Sequence, residues 1–190
     1  DGSHAAGFFG SISKSNFSFS TFLSVDFGDS IGSGFRINHN EVDYVITARH
    51  VVYKKDDLLS DLWIKSNNYF GSEKDGYNAK VNLTEKNVLT IDNLDIVAIQ
   101  LSKEFVYEIE SPGVDISVAK QEDVLGFKEI LIGSPIFLVG FPTSLSIADF
   151  YDVDRPLLRT GIIAGKNQNQ KTFVIDAVAY YGVKIARAHV

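Results

Sequence analysis

Four histidines, no cysteine and serines that stop at Ser146 set the chemistry open to this chain of 190 residues. Without cysteine there is no thiolate nucleophile, no zinc–thiolate site and no disulfide framework. His39 and His189 have no partners at metal-ligand spacing, so no metal site is expected. His4 sits in Asp1-Gly2-Ser3-His4-Ala5, which resembles the scar of a tag. His50 has a different setting, closing Thr47-Ala48-Arg49-His50 after an apolar run. Only histidine titrates near neutral pH without a large perturbation, which suits it to moving protons. Asp95 opens Asp95-Ile96-Val97-Ala98-Ile99, 45 residues further on. A histidine at one strand's end and an aspartate at another strand's start can face one crevice. Taken singly, each has a plainer reading: a polar turn residue after a strand, and a turn residue before one.

The elements that must carry these residues read as strands. Phe17 to Phe27 shows a mostly period-2 pattern, with Phe17, Phe19, Thr21, Leu23, Val25 and Phe27 on one face. Ile31 to Ile37, containing Gly32-Ser33-Gly34-Phe35, is a second strand. Asn38-His39-Asn40 supplies turn chemistry, and Val42 to Thr47 is a third strand, followed by a helical turn over residues 48–52. Leu58 to Lys65, Ala79 to Leu83 and Asp95 to Leu101 continue the series, with Asn67 to Asn78 as an exposed loop. Lys103 to Glu122 is acidic, contains Pro112-Gly113 and reads as a connection. Strands then follow at residues 136–139, Leu157 to Ala164, Lys171 to Ala177 and Val183 to Ala186, with Gly165 to Gln170 as a hairpin turn. No long segment has helical periodicity. Many short strands between turns imply an all-β barrel or sandwich.

Together these motifs resemble the trypsin-like (chymotrypsin-fold) serine peptidase family, in its bacterial form. The resemblance rests on Gly32-Ser33-Gly34-Phe35, on Thr47-Ala48-Arg49-His50-Val51 and on Leu94-Asp95-Ile96-Val97-Ala98-Ile99. Phe137-Leu138-Val139-Gly140-Phe141-Pro142 and Arg159-Thr160-Gly161-Ile162-Ile163-Ala164 extend it to about Ala177. It implies two six-stranded-type antiparallel β-barrels, the second incomplete: the first over about 7–105, a connection over about 106–122, and the second over about 123–190. It implies that His50 is the general base and Asp95 the carboxylate that orients it. In that chemistry a serine hydroxyl becomes nucleophilic only when an imidazole takes its proton. The carboxylate holds the other ring nitrogen and stabilises the imidazolium. The partner is then a protein or peptide substrate, and no cofactor is implied.

The family's nucleophile motif, Gly-Asp/Asn-Ser-Gly-Gly/Ser, has no counterpart here. Ser33 precedes the histidine in a structural strand, and Ser134 enters the Ile136 strand one element too early. The expectation is that a segment carrying the serine is absent between about Asp176 and Tyr180. The chain also holds no methionine, and Ser3-His4-Ala5 resembles a tag sequence without its Met, so single residues are expected to be absent too. Two functions follow: a serine endopeptidase, or a pseudopeptidase that binds peptides without cutting them. A net charge of −6 argues against a nucleic-acid partner. No apolar run approaches a membrane span, and Asp1 to Gly10 lacks the features of a signal peptide.

Overall fold

The computed structural model describes residues 4–5, 7–8, 22–27, 30–66, 77–91, 94–110, 119–120, 124–140, 157–177 and 184–185. Two short strands come first, β1 (His4–Ala5) and β2 (Gly7–Phe8). Next are β3 (Phe22–Phe27), β4 (Ser30–His39) and β5 (Val42–Thr47). One helical turn, α1 (Arg49–Val52), leads into the hairpin β6 (Tyr53–Lys54) and β7 (Asp57–Leu58). Then come β8 (Asp61–Ser66), β9 (Tyr77–Asn82), β10 (Val88–Thr90), β11 (Val97–Leu101) and β12 (Val106–Glu110). The last five are β13 (Ala119–Lys120), β14 (Pro135–Gly140), β15 (Leu157–Asn167), β16 (Thr172–Ala177) and β17 (Lys184–Ile185).

The fold is all-β, and α1 is the only helix among the described residues. A nine-stranded sheet runs in the order β10-β11-β5-β4-β3-β8-β9-β12, with β13 beside β4. Its path is antiparallel throughout, and the β4–β13 pair is parallel. A four-stranded antiparallel sheet, β16-β15-β14-β2, forms the second layer system. The short β1 and β17 pair in parallel.

Alternation explains the first core. Val45 and Thr47, Leu62 and Ile64, Ala79 and Val81, and Val97 and Ile99 are buried at every second position. Ala48, Val51, Val52, Leu83, Val88 and Phe105 join Val45, Leu62, Ile64, Val81, Val97 and Ile99 in one cluster. Each fully buried aliphatic side chain contributes about 1.5–3 kcal/mol. A second cluster, Ile130, Ile136, Leu138 and Ile163, sits under β14 and β15, with Phe173 and Ile175 packed against it. Lys166 holds the preceding turn in place: its Nζ donates to the carbonyls of Phe127 (2.7 Å) and Ile130 (2.5 Å).

Turn chemistry sets the registers. The β4–β5 hairpin closes on Asn40 (φ 51) and Glu41 (φ 65), both left-handed, as a two-residue type I′ loop requires. The β6–β7 hairpin repeats this with Lys55 (φ 52) and Asp56 (φ 76).

Several elements differ from the sequence reading. The strand expected over Leu58–Lys65 is broken at Leu59–Ser60, because Asp57–Leu58 fold back onto Tyr53–Lys54. Gly165 is not in the hairpin turn. It lies at a register shift of the β15–β16 pair, and β15 continues to Asn167. The acidic connection begins with a strand, since Val106–Glu110 pairs with β9, with Tyr107 and Ile109 alternating with Glu108 and Glu110. Gly7–Phe8 pairs with β14 of the smaller sheet rather than with the larger one. Residues 17–21 of the first expected strand lie outside the described residues, as do Ser3 and residues 178–183, where absent residues are expected.

Candidate active site

One register pair positions both candidate residues. Strands β5 and β11 are antiparallel neighbours, and Thr47 stands opposite Val97. Three residues past Thr47 and two before Val97, the chain has left the same end of the sheet. Those positions are His50 and Asp95. Asp95 therefore precedes its strand rather than opening it. The carboxylate then makes two contacts with one residue: Oδ1 accepts from the His50 backbone N–H at 3.0 Å, and Oδ2 lies 2.5 Å from His50 Nδ1. A carboxylate at Nδ1 selects the tautomer protonated there, leaving the Nε2 lone pair to accept a proton. Both side chains remain reachable from solvent, 37% and 54% exposed.

The histidine turn is built on the motif residues around it. The Thr47 hydroxyl donates to the Ser33 carbonyl at 2.9 Å, fastening the end of β5 to β4. The helical turn α1 has no side-chain cap at Ala48, whose backbone is extended. It is held instead by Asp95 at the His50 N–H and by burial of Val51 and Val52, 4% and 0% exposed. Val51 lies so close to β4 that a Cβ on Gly32 would stand 2.6 Å from one of its methyls and 2.8 Å from the other. Gly32 is thus the residue that lets the turn approach the strand. On the solvent side, Arg49 Nη2 donates to Asp56 Oδ1 at 3.1 Å, and its guanidinium lies 4.3 Å from the centre of the Tyr53 ring.

Sequence reading singled out His50 and Asp95, and the structure brings them together. The motifs contain Gly32 and Thr47 without showing their positional tasks, and the Arg49–Asp56 contact is visible only in the structure. The signal for that contact was faint: a cation and an anion seven residues apart, across a hairpin that was itself unread. Ser33 is 3% exposed within β4, and Ser134 lies in the turn before β14. His39 is exposed, and its Nε2 accepts from Asn40 Nδ2 at 3.1 Å. Among the described residues, no group of three or more metal-ligating side chains forms a metal site.

Comparison with known proteins gives three results. No curated protein sequence matches the chain. Among solved structures, the NSP4 proteinase from Equine Arteritis Virus aligns at 16% identity with a TM-score of 0.44. That alignment covers 90% of this chain and 61% of the viral one. The family model of the trypsin-like peptidase domain matches residues 32–183. That match begins at Gly32, the glycine under the histidine turn, and takes in the His50–Asp95 pair and the strands of both main sheets from β4 to β16. The chain belongs to the trypsin-like peptidase domain family.

Proposed function

We propose that this domain is the hydrolytic unit of a serine endopeptidase, with His50 as general base and Asp95 as the carboxylate that orients it. The observation that carries the reading is the doubly anchored pair: Asp95 grips both the backbone N–H and Nδ1 of His50. A ring fixed in this way accepts the proton of an attacking serine at Nε2 and returns it to the leaving amine. The imidazolium formed between those steps faces the Asp95 carboxylate. On this reading the natural protein carries its nucleophile in a further segment between about Asp176 and Tyr180, beyond the edge strand β16, where the sequence of 190 residues has Ala177, Val178 and Ala179. The substrate is a protein or peptide chain.

One observation favours a second reading. No serine follows Ser146, so the chain with Ala177 joined to Tyr180 by Val178 and Ala179 alone is a pseudopeptidase that binds peptides uncut. Peptide sequencing of the natural protein across this stretch separates the two. A serine flanked by glycines there supports hydrolysis, and a direct junction supports binding alone. In the first case a fluorophosphonate probe labels the protein, and His50→Ala lowers peptide hydrolysis by about 10⁴-fold or more, because base and nucleophile act as one unit. Full activity in His50→Ala would overturn the assignment.

A further inference from the structure

We infer that Arg49 is a positioning residue for His50, and that the β6–β7 hairpin exists in part to hold it. The inference deepens the proposed function and rests on its reading of His50 as the base.

Apart from the grip of Asp95 on His50, few contacts hold the near half of the turn. The helical turn α1 is four residues long and has no side-chain cap. Its buried residues, Val51 and Val52, anchor the far half. The near half carries Arg49 and His50, both at the surface. Arg49 is the covalent neighbour of His50, so fixing its backbone limits how far the imidazole can swing. Two contacts fix it: the guanidinium stacks over Tyr53 and donates to Asp56. Both partners belong to the hairpin that follows, which is tied back to α1 by the Leu59 N–H donating to the Val52 carbonyl at 3.1 Å. The chain thus leaves the histidine, makes a tight hairpin and returns to clasp the residue beside it.

The hairpin turn fits this purpose. Lys55 and Asp56 both occupy left-handed backbone, at φ 52 and 76. Glycine would adopt that conformation without strain at the second position. Aspartate tolerates it less well, and supplies the carboxylate that reaches Arg49.

The test reads the His50 ring itself and needs no nucleophile. Ring ¹⁵N shifts of neutral His50 report the ratio of the Nδ1–H to the Nε2–H tautomer. The parent chain should show mainly Nδ1–H. Arg49→Ala should lower that ratio measurably and by no more than about tenfold, the ceiling set by losing a stacked cation and an exposed ion pair together. Asp56→Gly should lower it by about threefold, while the turn keeps its geometry because glycine suits φ 76. Arg49→Lys, which keeps the charge and loses the flat stack, should lie nearer the parent than Arg49→Ala. Amide protection of Val45, Val81 and Ile99 should not change. Parent-like ratios in both Arg49→Ala and Asp56→Gly would overturn the inference. So would a loss of protection across those core strands, since the effect would then be general destabilisation. An Nε2–H ring in the parent chain would instead sink the His50–Asp95 pairing, and with it the reading on which the inference depends.

Discussion

Replacing Gly32 with alanine tests how the histidine turn is supported. In a strand, glycine to alanine is ordinarily favourable by about 0.5–1 kcal/mol, because glycine loses more freedom on folding. Here the added Cβ meets both Val51 methyls, at 2.6 and 2.8 Å. Ordinary contact requires the closer pair to separate by about 0.8 Å. Strand β4 cannot yield, because β3 and β5 pair with it on both sides. The four-residue turn α1, which Ala48 does not cap with a side chain, yields instead and carries His50 with it. The expected cost is about 1–3 kcal/mol, the range for forcing extra carbon into a packed core. A shift of this size at the base lowers hydrolysis by about 100-fold in a protein that carries the serine. The assay is urea unfolding followed by the fluorescence of Trp63, the single tryptophan. The decisive comparison is a double-mutant cycle. Val51→Ala removes the two methyls and leaves its own Cβ 3.3 Å from the new one. Gly32→Ala should therefore cost at least about 1 kcal/mol less in the Val51→Ala background than in the parent. Equal penalties in both backgrounds would refute the close-approach argument, and a stabilising Gly32→Ala in the parent would refute it more directly.

Asp95→Asn keeps the size of the side chain but allows the ring to turn to the wrong tautomer. In a serine-bearing protein it should lower hydrolysis by about 10⁴-fold, while the urea midpoint moves little because Asp95 is half-exposed. Asn87 is fully buried; its Oδ1 accepts from the Thr84 N–H and hydroxyl, and its Nδ2 donates to the Asn82 carbonyl. Asn87→Ala should cost about 2–3 kcal/mol in the same unfolding assay, from the polar groups left unpaired. Glu41→Gly should stabilise the chain by about 0.5–1 kcal/mol, since Glu41 holds φ 65 in a turn that prefers glycine there. Lys166→Met leaves the Phe127 and Ile130 carbonyls without their ammonium donor. It should cost about 1–3 kcal/mol and speed amide exchange in the 126–130 turn.

Where a local pattern decides an element, the sequence was readable. Val42–Thr47 is rich in β-branched and aromatic residues, follows Asn38-His39-Asn40 and becomes β5 with those bounds. The helical turn after it is likewise where the motif puts it. Elements decided by long-range pairing were not readable. Val88–Thr90 is three residues long, too short to show a period, and is a strand because it pairs with β11. Gly165 reads as a turn residue by type, yet it marks a bulge. The actual turn is organised by the Asn167 side chain, whose Oδ1 accepts from the N–H groups of Asn169 and Gln170. The acidic composition of the connection hid the short alternation of residues 107–110.

The same distinction separates the two sides of the candidate site. His50 and Asp95 are placed by strand ends, and strand ends are written in hydrophobic alternation and in the pairing of β5 with β11. Both belong to the larger sheet, whose core is independent of the cluster under β14 and β15. A nucleophile is another matter, because it depends on particular glycines and one serine in a loop. No pattern of burial implies them; they are either present in the sequence or they are not. The smaller sheet runs to Ala177, the point at which the family would place that loop. The His50–Asp95 contact is therefore made by elements of the larger sheet and its adjoining turn. A pseudopeptidase and an active peptidase built on this chain would share the same His50–Asp95 geometry, and only the residues between Ala177 and Tyr180 would tell them apart.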